Sequence, residues 1–375
     1  MSQKNIVFVG LFADSNSLTN FNIYSGYVSI SNGTITKKGS IEEFNQLEKS
    51  GTFSDYKIIN LSKDQFIIPG FVDCHTHAPQ FPNISLGLDR PLLEWLAKYT
   101  FPLEKKYNDT EFAAKIYDQV VNELVEPVVT PRFAVSCDKK LMDGLSAIAK
   151  QYDCRIQSHI SENLKEIEYV LETNDNCFCY GEVYDKSGIL NNKCIMAHAV
   201  HLTDDELKLL SSRGVSIAHC PASNTRLKSG LCPVRRILDA NITVGLGTDV
   251  SGGDSASILD ALRRTMDVSM CLELNGNSNY SLNWKEAFYL ATLGGAKALN
   301  LDDKIGNFEV GKDFDALLID VYAKGGPIDK YENALQTTNE EYANDLVQRF
   351  LLLGDDRNIS QVYVKGKKVK DIEGK

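Results

Sequence analysis

Long apolar runs are missing from this 375-residue chain, and so is any excess of positive charge. No stretch approaches the ~18 consecutive apolar residues of a membrane-spanning helix. The opening segment has too short an apolar run for a secretory leader, so we expect neither secretion nor membrane contact. The formal net charge of -10 argues against a surface that binds nucleic acid. These absences leave a soluble globular protein.

Paired cysteine spacing is also absent, although the chain has nine cysteines. The number is odd, and the one close pair, Cys177 and Cys179, is only a weak indication of a metal site. We therefore interpret all nine as reduced thiols of a cytoplasmic protein. The two glycines of Thr292–Ala296 do not have the spacing of the GxGxxG phosphate-binding motif and do not follow a strand. We interpret them as positions where a helix packs closely against its neighbour.

Two kinds of pattern divide the chain. Short β-like runs occupy both ends, and the middle alternates apolar strands with helix-length segments, as in an α/β fold with a parallel sheet. We predict a composite β-sandwich domain from residues 1–67 and 304–375, and a TIM-like barrel from residues 68–303. The predicted barrel strands are Phe66–Val72, Val128–Thr130, Ile156–His159, Ile195–His198, Val215–His219 and Thr243–Leu246.

Five of the six histidines stand where an apolar strand ends. The C-terminal ends of parallel barrel strands face one mouth, where active sites are built, so these side chains should converge there with one aspartate. Imidazoles and one carboxylate are ligands that suit Zn²⁺ or Fe²⁺. Alone, the His75-Thr76-His77 motif could equally be a polar loop; together the set predicts a catalytic metal site. Its members are His75, His77, His159, His198, His219 and Asp249.

Further polar residues near the strand ends suggest roles in catalysis and binding. Glu162, three residues after His159, could take a proton from water and pass it to a leaving nitrogen. Alternatively, it could be a glutamate at a helix N-terminus, where the helix dipole stabilises a negative charge. Arg132 could hold a carbonyl oxygen or form a surface ion pair, and the amide of Gln80 suits the edge of a heterocycle. An aromatic substrate could be walled by Leu92, Leu93, Trp95 and Phe101, which an amphipathic core helix explains equally well.

Together these motifs resemble the amidohydrolase superfamily and, within it, the guanine deaminases. The resemblance runs through nearly the whole chain and rests on Pro69–His77, Leu92–Leu96, Lys98–Pro102, Val129–Phe133, Gln157–Asn163, Ala218–Pro221, Leu246–Asp249 and Ile305–Gly311. It implies deamination of guanine to xanthine and ammonia by a cytoplasmic homodimer with one zinc ion per subunit. The implied metal ligands are His75, His77, His159, His198 and Asp249, although His198 could instead orient the attacking water. His219 would support these ligands without binding the metal. The implied catalytic residues are Glu162, His198 and Asp249, and the implied guanine contacts are His77, Gln80, Arg132, Phe133, His159, Glu162 and Asp249.

One departure from the family is large. The barrel pattern yields six strands where eight are needed, and almost no connector separates Leu124 from Pro127. We infer that roughly 70 residues, about two strand–helix units, are missing there. Skipping two strands would leave a gap of roughly 14 Å in place of ~4.8 Å. Two alternatives to guanine deamination stay open. The chain could deaminate another aminated heterocycle, or the missing strands could make it a catalytically impaired variant with an interaction role.

Overall fold

The computed structural model describes residues 5–120, 128–330 and 339–371. The chain forms two compact units. The terminal unit comprises Met1–Val72, Trp284–Ala296 and Leu301–Lys375, and the catalytic unit comprises Asp73–Asn283 and Lys297–Asn300. The limits predicted for independent domains, 1–67 with 304–375 and 68–303, stay a prediction. Among the described residues, no helix combines the length and apolar character needed to cross a membrane.

The terminal unit is built on one mixed sheet of eight strands that draws on both ends of the chain. Its strands are β1 Ile6–Ser17, β2 Asn20–Ser31, β3 Thr34–Ser40, β4 Lys57–Asn60, β5 Gln65–Pro69, β11 Ala316–Asp320, β12 Ile359–Val364 and β13 Lys367–Asp371. The order is β13-β12-β11-β5-β1-β2-β3, and β4 pairs with the first half of β1. The sheet therefore forks along β1, with an aromatic core at Phe8, Phe12, Phe308 and Phe314. The helices of this unit are α1 Ile41–Lys49, α12 Trp284–Ala291 and α14 Asn339–Leu353.

The catalytic unit contains a parallel five-stranded sheet in the order β10-β9-β8-β7-β6. Its strands are β6 Val128–Val129, β7 Arg155–Ile160, β8 Cys194–His198, β9 Ser216–His219 and β10 Val244–Leu246. Its helices are α2 Leu92–Trp95, α3 Phe101–Glu104, α4 Thr110–Val120, α5 Lys139–Gln151, α6 Leu164–Glu172, α7 Tyr180–Asp185, α8 Asp204–Arg213, α9 Pro221–Arg226, α10 Val234–Asp239 and α11 Ile258–Leu274. The short helix α13, Leu293–Ala298, spans the limit between the units along the chain.

The prediction that Phe66–Val72 forms the first strand of the barrel is wrong. The apolar residues of this run form β5, which pairs with β11 and β1 in the terminal sheet. The segment that carries the first two histidines is extended and runs beside β10, because Cys74 N donates to Leu246 O at 2.8 Å and Asp249 N donates to His75 O at 2.8 Å. A buried apolar run does not reveal which sheet its partners belong to.

The sheet of the catalytic unit ends at β6 within the described residues. Five of the six predicted barrel strands are present in this sheet. Within the described residues, the extended segment that carries His75 takes a sixth position beside β10, in place of the predicted strand Phe66–Val72. The predicted deletion point near residues 124–127 lies outside the described residues.

Candidate metal centre and active site

Four buried side chains meet at the strand ends of the catalytic unit. One nitrogen or oxygen of each lies within 4.8 Å of the others, and the four residues are His75, His159, His198 and Asp249. His198 and Asp249 have φ values of 74° and 47°, in the left-handed region that residues with a side chain rarely adopt. Such backbone strain is typical of functional positions, where the surrounding structure holds it in place.

Hydrogen bonds on the far side of two rings leave their Nε2 atoms free for the cluster. His159 Nδ1 lies 2.7 Å from the main-chain oxygen of Arg132, and His198 Nδ1 lies 2.8 Å from Asn224 Oδ1. A carbonyl oxygen only accepts, so Nδ1 of His159 carries the proton; the same assignment for His198 follows if the Asn224 oxygen faces it. Nε2 of each ring is then the atom with the lone pair, as metal binding requires.

The donor set fits a divalent metal ion. His75 Nε2 is buried and has no hydrogen-bond partner within the described chain, although it lies 3.4 Å from Asp249 Oδ1. A buried polar atom without a partner costs free energy, which a bound cation would recover. Three imidazoles and one carboxylate supply nitrogen and oxygen donors of the kinds that bind zinc. The sequence-predicted core of the site therefore comes together.

His77 lies beside this cluster. Its Nε2 is 3.3 Å from His159 Nε2 and 3.2 Å from Asp249 Oδ1, while Arg132 Nη1 lies 3.4 Å from its Nδ1. A guanidinium can only donate, so this last contact puts the proton of a neutral ring on Nε2. Metal binding through Nε2 would require the contact with Arg132 to break. The role of His77 as a ligand stays a prediction.

Charge and burial tune the titration of the cluster. Burial lowers the pKa of His77 to about 4, and burial with nearby imidazoles holds the pKa of His159 well below its usual value. Burial raises the pKa of Asp249, but the imidazoles of His75, His77 and His198 around the carboxylate outweigh burial and hold that pKa well below its usual value. His77 and His159 are therefore neutral rings, the form in which imidazole binds a metal ion. Burial also lowers the pKa of His198, but the nearby carboxylates of Glu162 and Asp249 outweigh burial and raise that pKa.

Glu162 faces the cluster from the loop after β7. Its Oε2 is 3.5 Å from His198 Nε2, and its Oε1 accepts a hydrogen bond of 3.0 Å from Ser229. Burial raises the pKa of the Glu162 carboxyl, in part against the nearby His198. A carboxyl with a raised pKa holds a proton more readily than an exposed one, which suits a group that must accept a proton and release it again.

Glu166 supports Glu162 from the first turn of α6. Its Oε2 accepts from the main-chain nitrogens of Glu162 and Asn163, both at 3.1 Å, and its Oε1 accepts from Tyr180 at 2.7 Å. Sequence reasoning missed this residue, although the capping-box spacing from Asn163 to Glu166 is a readable signal. Asn224, the partner of His198, was also missed, and no signal in the sequence pointed to it.

A small pocket opens beside the cluster and contains the predicted binding residues. It is lined by His77, Gln80, Leu92, Trp95, Leu96, Arg132, Phe133, His159, Glu162, His198, Leu227 and Asp249. Of the four predicted wall residues, Leu92 and Trp95 line it, whereas Leu93 and Phe101 are exposed and do not. Helical periodicity explains the split, since residues three and four apart share a face. Leu96 and Leu227 are additions that sequence reasoning missed.

His219 lies at the end of β9 and is fully buried. Neither ring nitrogen has a hydrogen-bond partner within the described chain, and burial lowers its pKa to about 3 with a further contribution from His198. It is therefore a neutral ring behind the ligands. Its predicted supporting role stays a prediction.

With this geometry established, the chain can be compared with known proteins. The sequence profile of the Amidohydrolase family matches residues 108–369, more than half of the chain. The chain belongs to the amidohydrolase family. Guanine deaminase from Rattus norvegicus is 41% identical over 406 residues, with 88% of this chain and 89% of that protein covered. Guanine deaminase from Dictyostelium discoideum is 38% identical over 414 residues, covering 89% and 90%.

Among solved structures, guanine deaminase from C. acetobutylicum with bound guanine in the active site is similar to this amidohydrolase. The TM-score is 0.84 at 30% identity, with 97% of this chain and 99% of that chain covered. The predicted resemblance and the amidohydrolase barrel fold class are confirmed, and the terminal β-sandwich of the prediction is one mixed eight-stranded sheet built from both ends of the chain. The alignment with the D. discoideum protein has 414 positions but takes in 89% of 375 residues, so about 80 positions are gaps in this chain. The number of gap positions is close to the roughly 70 residues that the strand count predicts to be missing.

Proposed function

We propose that this amidohydrolase catalyses the hydrolytic deamination of guanine to xanthine and ammonia. One observation carries the proposal: the buried cluster of three histidines and Asp249 shares a single pocket with Glu162, Arg132 and Gln80. The cluster and Glu162 suit water activation and proton transfer. Arg132 and Gln80 suit the polar edge of a purine ring. The guanine deaminases among the relatives support this choice of substrate.

We further propose one zinc ion per subunit, with iron as the less favoured alternative. His75, His159, His198 and Asp249 would hold it, with His77 as a further ligand. A bound zinc ion lowers the pKa of a water molecule from 15.7 to roughly 7, which makes that water a nucleophile at neutral pH. Metal analysis of the purified protein by mass spectrometry tests this assignment, with about one zinc per chain as the expected result.

Glu162 moves the protons of the reaction. The water oxygen forms a bond to the ring carbon that carries the exocyclic amine, and Glu162 takes the proton released. Glu162 then gives a proton to the amine nitrogen, the carbon–nitrogen bond breaks, and ammonia leaves. The Ser229 hydroxyl donates to the carboxylate of Glu162, and the Glu166 side chain accepts from the main-chain nitrogen of Glu162. These two hydrogen bonds hold the Glu162 carboxylate beside His198 during both proton transfers.

The deaminase assay tests the proposed function directly. Zinc-loaded protein is incubated with guanine, and both xanthine and ammonia are measured. Adenine, cytosine and a chlorotriazine serve as comparison substrates. Arg132→Ala should weaken turnover only of a substrate that presents a carbonyl oxygen. Absence of both products from guanine, at full metal content, would refute the proposal, and turnover of another ring alone would favour the broader deaminase alternative.

Within the described part of the chain, no strand pairs with the outer side of β6, which favours a second candidate, an impaired enzyme with an interaction role. Metal content and cooperative thermal unfolding separate the two, since an intact site keeps about one metal ion and melts in one transition. We also propose that the protein is a homodimer, because the family that it resembles is usually dimeric. Analytical ultracentrifugation, which measures the mass of the assembly, tests this proposal. All nine cysteines are free, which supports a reducing compartment, the cytoplasm.

A further inference from the structure

Glu104, the last residue of α3, connects the two polar residues predicted to bind substrate. Its Oε1 accepts a hydrogen bond of 3.1 Å from Gln80 Nε2 and lies 3.6 Å from Arg132 Nη2. Gln80 is buried, at 1% exposure, and its Oε1 accepts from Ser251 N at 3.3 Å. None of the motif reasoning pointed to Glu104, which lies outside the row of residues that line the pocket.

We propose that Glu104 is a positioning residue that fixes the hydrogen-bonding polarity of the pocket wall, so that the wall recognises a ring carbonyl beside a ring N–H. The inference rests on the proposed function and names a determinant of its specificity. Glu104 acts through Gln80 and Arg132 and does not touch the reacting atoms.

An amide side chain can present either its oxygen or its nitrogen, and only its partners decide which. An ionised carboxylate only accepts, and a main-chain N–H only donates. Glu104 and Ser251 therefore hold Gln80 in one orientation, with Nε2 towards Glu104 and Oε1 towards Ser251. That orientation leaves a lone pair of Oε1 and the second Nε2 hydrogen available to a substrate.

The same carboxylate holds Arg132. With Nη2 near Glu104 and Nη1 near His77, the guanidinium lies against the face of Phe133, 5.8 Å from its ring centre. An arginine that a carboxylate holds in place loses less freedom when it binds a ligand, so its donors meet a carbonyl oxygen at lower entropic cost. Glu104 thus aligns donors from Arg132 for the carbonyl and an acceptor from Gln80 for the neighbouring N–H.

Binding measurements test the inference separately from turnover. Xanthine, which has ring carbonyls beside N–H groups, and 2-aminopurine, which has the amine of guanine but lacks the carbonyl, are titrated into zinc-loaded protein by calorimetry. Glu104→Ala should weaken xanthine binding about tenfold to a hundredfold, as expected for a lost charge-assisted hydrogen bond, and 2-aminopurine binding much less. Glu104→Gln keeps an acceptor for Gln80 but loses the charge beside Arg132, so its loss should be intermediate. The matched control is Glu94→Gln, on the exposed side of α2, which should bind both ligands as the parent does.

Equal loss of both ligands, or xanthine binding by Glu104→Ala that matches the control, would overturn the inference. Zinc content and the melting temperature, measured on every variant, should stay at the parent values, and a variant that loses zinc would contradict a purely positioning role. If the parent binds xanthine but does not convert guanine, the proposed function fails while the role of Glu104 is still decided. If the parent binds neither ligand, both fail.

Discussion

The terminal unit buries apolar rings, whereas the catalytic unit gathers buried polar groups around one point. In the first, Phe314 stacks on Phe8 with ring centres 5.3 Å apart and packs against Tyr363 at 5.5 Å. In the second, His75 lies 4.7 Å from the ring of His159. Burial of apolar rings stabilises the fold directly, while buried polar rings without partners cost free energy until a ligand binds. The two units should therefore respond to substitution in opposite ways.

The largest effect should come from the only carboxylate in the metal cluster. Asp249→Asn replaces a charged oxygen with a neutral amide, so the proposed zinc ion would lose the one anionic ligand among the four residues of the cluster. We expect kcat to fall at least about a thousandfold and zinc content to drop, because water activation depends on the metal. The measurements are guanine turnover and metal analysis. Asp205→Asn, on an exposed carboxylate of α8, is the control, and a variant at Asp249 that keeps both zinc and activity would break the comparison.

A core substitution in the terminal unit should show the opposite pattern. Phe314→Ala removes a buried ring, at 1% exposure, and should lower the free energy of unfolding by about 3–5 kcal/mol. Zinc content per folded chain should remain at the parent value, because the residues of this core include none of the four residues of the metal cluster. Urea unfolding and metal analysis check both statements. Val369→Ala, at a position 56% exposed, should change stability by less than about 0.5 kcal/mol. Loss of zinc from folded Phe314→Ala protein would count against separate roles for the two units.

Features encoded locally were predictable, and features that depend on distant partners were not. Apolar runs that end in His159, His198 and Asp249 predicted that these side chains meet, because strand ends of a parallel sheet share one mouth. The same kind of run at Phe66–Val72 was assigned to the wrong sheet. Its strand partners, β1 and β11, lie far away in sequence, and hydrophobicity alone does not identify them.

The supporting polar residues were the harder part of the site. Asn224 and Glu104 lie on short helices, where polar side chains are ordinary, and their partners His198, Gln80 and Arg132 are 24 or more residues away. Only a folded chain brings such pairs together. Glu166 differs, because its capping-box partner is three residues away and the spacing is visible in the sequence.

A moderate effect should follow from removing the support beneath Glu162. Glu166→Ala leaves the main-chain nitrogens of Glu162 and Asn163 without their acceptor, so the catalytic carboxylate should lose its fixed position. We expect kcat for guanine to fall about tenfold, with KM and zinc content close to the parent values, because a small misplacement of a proton-transfer group slows the reaction. Glu168→Ala, on the exposed face of α6, is the matched control. An unchanged kcat would show that Ser229 alone is enough to hold Glu162.

The smallest effect should be a pH-dependent one in the terminal unit, at Asp64. Burial raises the pKa of this carboxyl, but hydrogen bonds from Lys330 and Tyr342 outweigh it and leave that pKa below its usual value. A lowered pKa means that the folded state holds fewer protons than the unfolded state, so the stabilisation is present above the unfolded pKa of about 3.9 and is lost as pH falls. At neutral pH, Asp64→Asn should lower the free energy of unfolding by at most about 1 kcal/mol, because the ion pair is partly exposed. The difference in the free energy of unfolding between parent and variant should shrink in acid.

Urea midpoints of both proteins, measured at each pH, test this prediction. The histidines of the catalytic unit titrate equally in the two proteins, so their contribution cancels. A difference that stays constant from neutral to acidic pH would mean that packing of Asp64, and not its charge, stabilises the sheet.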